Sequence, residues 1–150
     1  MKKILITGAN GYVASRIIPH LEKKYELTLV DIEFNKKFNS KIIKMNLSDS
    51  SVEDIEKIVK GHQSIIHLAY IRPDHERNSK NTNNELNSFD QENRNVIMAN
   101  KIYKAALTQN IDRVVVASSN HAADWYEHNE IHEKKLDLVN TNMIPYSDNF

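Results

Sequence analysis

Gly8 and Gly11, in the stretch Ile4-Leu5-Ile6-Thr7-Gly8-Ala9-Asn10-Gly11-Tyr12-Val13-Ala14, have the types and spacing to cradle a phosphate. Gly8 permits a sharp backbone turn, and Gly11 lets the backbone approach a ligand with no Cβ in the way. Free N–H groups and the dipole of a helix starting at Tyr12 favour an anion, here a dinucleotide pyrophosphate. The pattern is Gly-x-x-Gly-x-x-Ala, one residue longer between its first two small positions than the common dinucleotide fingerprint. Asp31 follows Gly11 by 20 residues. A dinucleotide-binding βαβ unit places a carboxylate there to accept the adenosine ribose hydroxyls. The same carboxylate repels a 2′-phosphate, so NAD is favoured over NADP. Lys36 and Lys37 leave room for NADP, but a solvated loop suits them better.

Other residues with chemical potential are weaker candidates. His67 lies within Ser64-Ile65-Ile66-His67-Leu68-Ala69-Tyr70, and inside a buried strand a histidine is more often a satisfied core residue than a base. His128 and His132 are four apart among Glu127, Glu130 and Glu133, so a helix could turn both imidazoles to a metal. The zinc-protease pattern needs Glu directly after the first His, and Asn129 stands there, so a solvated charged segment is the better reading and no metal site is assigned. Tyr126 beside Trp125 reads as packing.

Elements at fixed places must hold these residues. Ile4 to Ile6 form a first strand covered on both faces. A helix from Tyr12 to Lys24 follows, with Val13, Ile17, Ile18 and Leu21 as its buried stripe and Pro19 loosening it, since proline cannot donate back to Ser15. Small Ala14 lets this helix pack close to the strand. Strands are expected at 26–31, 41–47, 64–70 and 112–119. A second helix carries Val52, Ile55, Ile58 and Val59, with Ser50 and Glu53 at capping-box spacing and Gly61 as its stop. The asparagine-rich stretch from Arg72 to Gln91 reads as a mobile polar excursion. Glu92 to Gln109 returns to helical periodicity through Ala99, Ile102, Tyr103 and Ala106, and Asn110 can end it in a left-handed conformation. Five strands with such crossovers give a doubly wound, three-layer α/β/α parallel sheet of the Rossmann type, in order 3-2-1-4-5.

Composition narrows the class. With 150 residues, the chain fits one domain. Formal net charge is zero, which gives no electrostatic footprint for nucleic acid or an anionic membrane. There is no cysteine, hence no disulfide framework and no thiolate chemistry. No signal-peptide pattern follows Met1-Lys2-Lys3, and no apolar run nears the roughly 20 residues that span a bilayer. The expectation is a soluble, cytoplasmic protein.

Thr7-Gly8-x-x-Gly11-x-x-Ala14 resembles the signature of the short-chain dehydrogenase/reductase superfamily. His67-Leu68-Ala69 is similar to the Val-x-His-Leu-Ala-Ala element of its extended members. The segments 95–106 and 114–121 resemble the NAD-dependent epimerase/dehydratase branch, and Ser118-Ser119-Asn120-His121 is similar to uronate dehydrogenases, which oxidise the anomeric carbon of a hexuronic acid. The resemblance implies that Gly8, Asn10, Gly11, Tyr12 and Val13 hold the cofactor pyrophosphate side, with Asp31 and Ile32 at the ribose. Asn46 and Leu47 stand where the family has an acidic and a hydrophobic residue near the adenine. It further implies that Leu68, Ala69, Tyr70 and Ser118 border the cofactor, while Asn95 holds helix and site geometry. Ser119 would orient the substrate oxygen as the catalytic hydroxyl. Asn120 and His121 would line a pocket for a sugar or sugar acid.

One departure stands out. The superfamily works through a Tyr-x-x-x-Lys pair, whose lysine lowers the tyrosine pKa so that the phenolate accepts a hydroxyl proton while hydride leaves. None of the six tyrosines here has a lysine four residues on. Met143 to Phe150 resembles the run-in to that motif, so the expectation is a truncated, N-terminal cofactor-binding part of a longer enzyme whose full-length relatives form homodimers. Two other functions compete with this reading. One is a fragment of a nucleotide-sugar epimerase or dehydratase, against which Asn120-His121 argues. The other is a non-catalytic NAD-sensing module.

Overall fold

The computed structural model describes residues 1–72 and 82–147, except for the side chains of 82–88. Strand β1 (Lys3–Thr7) leads through the glycine turn into helix α1 (Tyr12–Leu21), then β2 (Glu26–Asp31) and β3 (Lys41–Lys44). Helix α2 (Val52–Val59), β4 (Ser64–His67), the long α3 (Thr82–Thr108) and β5 (Arg113–Val116) follow. All neighbouring strands pair in parallel, in the order β3-β2-β1-β4-β5. The expected Rossmann-type architecture is the observed one.

The inner strands β1, β2 and β4 are mostly apolar and buried, as both sheet faces are covered there, while the edge strands β3 and β5 are largely exposed. Ile4, Ile6, Leu27 and Leu29 turn to one face and bury against Ala14 and Ile18 of α1. Leu5, Val30 and Ile65 turn to the other, against Ile55 and Val59 of α2 and Met98, Ile102, Ala105 and Ala106 of α3. Leu5, Ile6, Leu29, Ile55, Ile65 and Ile102 are fully buried, each contributing about 1.5–3 kcal/mol of transfer free energy. Chain order reverses beside β1: β2 and β3 lie on one side of it, β4 on the other. That switch point opens a crevice at the carboxyl ends of the strands.

Several boundaries differ from the sequence reading. Helix α1 stops at Leu21 rather than Lys24, where Glu22 N donates to Ile18 O after a turn that already contains Pro19. Val13 is not part of the buried stripe; it is 53% exposed at the first turn. Ser51, not Ser50, caps α2: its hydroxyl accepts from Asp54 N and donates to the Asp54 carboxylate, so the box is shifted by one residue. Helix α3 begins at Thr82, so the last part of the stretch read as a polar excursion is helical, and 73–81 lie outside the described residues. Its buried stripe uses Met98, Ile102, Ala105 and Ala106, while Tyr103 faces outward. Strands β3, β4 and β5 are each four residues long, shorter than their apolar runs. Asn110 does terminate its helix at φ 52°, and Gly61 follows α2 at φ 81°.

Residues 1–116 form one compact unit and 117–150 a second. The second holds a 3₁₀ turn at Asn120–Ala123, a single helical turn at Asp124–Tyr126 and a wide turn at Glu127–Ile131. Its centre is aromatic: Trp125 stacks on Tyr146 with centroids 5.0 Å apart, and Tyr126 meets Trp125 edge-on. Trp125 N donates to Tyr146 O and Tyr146 N donates to Ala122 O. The expected packing role of Tyr126 holds. No helix of the described residues is long and apolar enough to cross a membrane.

Candidate functional site

The glycine turn takes a glycine-favouring backbone at its first position. Gly8 sits at φ 66°, and a Cβ there would lie 2.6 Å from Ala69 N and from the Leu68 carbonyl. Gly11 is extended, a conformation open to any residue, so its value is space: it lines the crevice, and its N–H donates to Gly8 O at 3.0 Å. As the N-cap of α1, Gly11 has no side chain to accept the first helical N–H groups. In α2, Ser51 does accept one. The start of α1 therefore keeps its donors for an anion.

Thr7 ties the turn to the end of β4. Its hydroxyl oxygen accepts from Leu68 N and Ala69 N, each at 3.3 Å, and lies 2.7 Å from His67 Nδ1. With the oxygen accepting from amides, its proton points to Nδ1, which leaves the imidazole proton on Nε2. Burial lowers the His67 pKa from its ordinary value, so it stays neutral. As the sequence suggests, His67 is a satisfied core histidine.

Asp31 locks the other side. One carboxylate oxygen accepts from Asn10 N at 2.8 Å and the other from Ile32 N at 2.7 Å, while Ala9 N donates to Val30 O. The acid expected for the ribose thus also staples the glycine turn to β2. Beside it, Asn10 Oδ1 is buried and has no hydrogen-bond partner among the described residues. Such an atom costs about 1–3 kcal/mol until a donor reaches it.

These elements border a cavity of about 460 Å³, a size typical of small-molecule sites. Gly8, Asn10, Gly11, Asp31, Ile32, Asn46, Leu47, Leu68, Ala69 and Tyr70, all expected at the cofactor, line it. Tyr12 and Val13 stand exposed at the first turn of α1, outside the lining. Asn95 lies behind the wall: its side chain accepts from Ile71 N at 2.7 Å and donates to Ile71 O at 2.8 Å. Tyr70 OH donates to Glu92 at 2.7 Å, and that carboxylate raises the phenol pKa. Helix α3 therefore fixes the rim that follows β4.

Sequence reasoning missed several residues. Thr7 carried no signal beyond its place in the glycine pattern. Among the described residues, Arg72 is the one cation lining the cavity, whose wall also includes the acids Asp31 and Glu33. Val30, Met45, Ser48, Ile71 and Met98 complete the wall, and a helical residue such as Met98 cannot be assigned to a crevice from periodicity alone.

Ser118, Ser119, Asn120 and His121 belong to the second unit. Ser119 caps the 3₁₀ turn there, accepting from His121 N at 3.3 Å. His121 Nδ1 lies 2.8 Å from Asp124 Oδ2, whose side chain is buried while the imidazole is exposed. Asp124 thus orients the ring, a partner the sequence did not suggest. His128 and His132 have their rings 5.9 Å apart, and among the described residues no group of three or more His, Cys, Asp or Glu side chains is placed to hold a metal.

A glycine turn with uncapped helix donors, an acid at the end of β2 and an orphaned buried amide oxygen suit a dinucleotide. The NAD dependent epimerase/dehydratase family profile matches residues 4–147. The chain belongs to that family. Among its relatives, an L-arabinose 1-dehydrogenase (NAD(P)(+)) from Haloferax volcanii is 28% identical over 126 residues, 84% of this chain and 44% of that protein. A mutant uronate dehydrogenase from Agrobacterium tumefaciens, solved with NAD, is 27% identical with a TM-score of 0.62, covering 81% of this chain and 42% of that one. A glucuronic acid dehydrogenase from Chromohalobacter salexigens is 31% identical at a TM-score of 0.59, with 81% and 42% covered. The chain spans less than half the length of these relatives.

Proposed function

We propose that this chain is the NAD-binding part of an oxidoreductase of the uronate dehydrogenase type, acting on a sugar acid. The observation that carries it is the Asp31 carboxylate at the cavity wall, held by Asn10 N and Ile32 N. Its remaining lone pairs suit ribose hydroxyls, and its charge opposes a 2′-phosphate, which favours NAD over NADP. The uncapped start of α1 takes the pyrophosphate, with the backbone of Gly11, Tyr12 and Val13 rather than their side chains. Adenine extends past the ribose towards β3, where Asn46 and Leu47 line the wall. The nicotinamide half lies across the switch point, beside Leu68, Ala69 and Tyr70. When bound, the cofactor supplies a hydride acceptor. Arg72 supports a carboxylated substrate, being the one lining cation among the described residues.

Ser119 would hold the substrate hydroxyl, with Asn120 and the Asp124-oriented His121 contacting the sugar. The 150 residues include no tyrosine with a lysine four positions on, so the chain binds cofactor but does not turn over on its own. Calorimetric titration tests this reading. NAD should bind and NADP should bind at least tenfold more weakly. Asp31→Ala should narrow that gap, and Gly11→Asp, which sets a negative side chain against the pyrophosphate, should abolish binding. A folded protein that binds neither dinucleotide would refute it.

A further inference from the structure

The loop after β3 holds one cavity-lining side chain in a single orientation. Asn46 Oδ1 accepts from Ser48 N at 3.2 Å, and Asn46 Nδ2 donates to Asp49 Oδ2 at 2.7 Å. An amide with an N–H donor against its oxygen and a carboxylate against its nitrogen cannot be turned over without opposing like groups at both ends. Asp49 is itself held. Its Oδ1 accepts from Arg94 Nη2 at 2.7 Å and from Ser48 Oγ at 3.0 Å, and the same guanidinium nitrogen donates to Ser48 Oγ at 2.5 Å. Arg94 comes from α3, which also sends Lys101 Nζ to Ser48 O and Ser50 O, each at 2.8 Å. As a surface ion pair, Arg94–Asp49 is worth little stability. Its consequence is directional.

We infer that Asp49, backed by Arg94, is a positioning residue that pins the Asn46 amide and so selects the base of the bound dinucleotide, adenine over hypoxanthine. The inference rests on the adenine-side placement of Asn46 proposed above. A carboxamide meets adenine well, its oxygen taking an N6 hydrogen while its N–H meets a ring nitrogen. Hypoxanthine presents O6, an acceptor, where adenine presents the N6 donor. A free asparagine turns over to suit either base. The pinned one keeps one N–H and one lone pair of fixed sense, which match adenine alone.

The probes are NAD and nicotinamide hypoxanthine dinucleotide, titrated against the 150-residue chain by calorimetry. Wild type should prefer NAD by about tenfold, within the range of a good bidentate base contact. Asp49→Ala should bring the ratio within about twofold to threefold, mainly by weakening NAD, and Arg94→Ala should give an intermediate ratio. Circular dichroism melting of each variant checks the fold. An equal weakening of both dinucleotides would make Asp49 a mere loop prop and overturn the inference. So would an unchanged ratio, or a wild type without base preference. A wild type that binds neither dinucleotide would instead fail the cofactor reading itself.

Discussion

Gly8, Thr7 and Asp31 each do a job that their residue type alone permits. Gly8→Ala would need a strained φ and a Cβ 2.6 Å from the Leu68 and Ala69 backbone just after β4, so it should destabilise by at least about 2 kcal/mol in urea unfolding. Thr7→Val leaves His67 Nδ1 without its partner and weakens the hold on the Leu68 and Ala69 amides. A loss of about 1–3 kcal/mol is expected. Burial lowers the pKa of both His67 and His62, aided at His62 by Lys3 and Lys41. The unfolded chain takes up these protons near the ordinary histidine value of about 6.5, while the folded chain resists them. Their share of stability is therefore complete above that pH and declines below it. Urea midpoints measured from pH 8 down to 5 should fall below about 6.5, and His67→Gln should flatten the fall. At this scale the placing of Gly8, Gly11 and Asp31 at one cavity was legible from spacing. The double duty of Asp31 was not, because a local pattern cannot show that a carboxylate also closes the turn 21 residues upstream.

Among the elements, α3 does more than cover the sheet. Asn95 brackets Ile71, Glu92 takes the Tyr70 phenol, and Arg94 and Lys101 hold the loop after β3. One helix thus sets both the β3 and β4 rims of the cavity. Asn95→Ala should weaken NAD binding several-fold while lowering stability by about 1–2 kcal/mol, as a paired titration and urea melt would show. Helix α1 carries Pro19, whose missing N–H leaves Ser15 O without its helical donor. Pro19→Ala should stabilise the fold by about 1 kcal/mol, less the entropy returned to the unfolded chain. Strand and helix order was readable because the apolar runs and caps agree with one another. The ends were not, since β3, β4 and β5 stop where pairing stops rather than where hydrophobicity does. The buried face of α3 was misjudged at Tyr103 because Ala105 and Ala106 tolerate the close approach that a tyrosine cannot.

For the whole molecule, a parallel sheet with a reversal beside β1 makes a crevice, and residues of the loops after β1, β2, β3 and β4 line it. That convergence follows from strand order, so once order 3-2-1-4-5 was legible, most of the cavity wall was too. Ser118 to His121 lie in a separate unit, and their part in substrate binding rests on likeness to family members. The central claim is that this crevice binds NAD, and amide chemical-shift mapping of the chain titrated with NAD tests it most directly. Shifts should concentrate at residues 8–14, at Asp31 and Ile32, at Asn46 and Leu47, and along 68–71. A saturating titration with no shifts there, or with shifts confined to other surfaces, would contradict it.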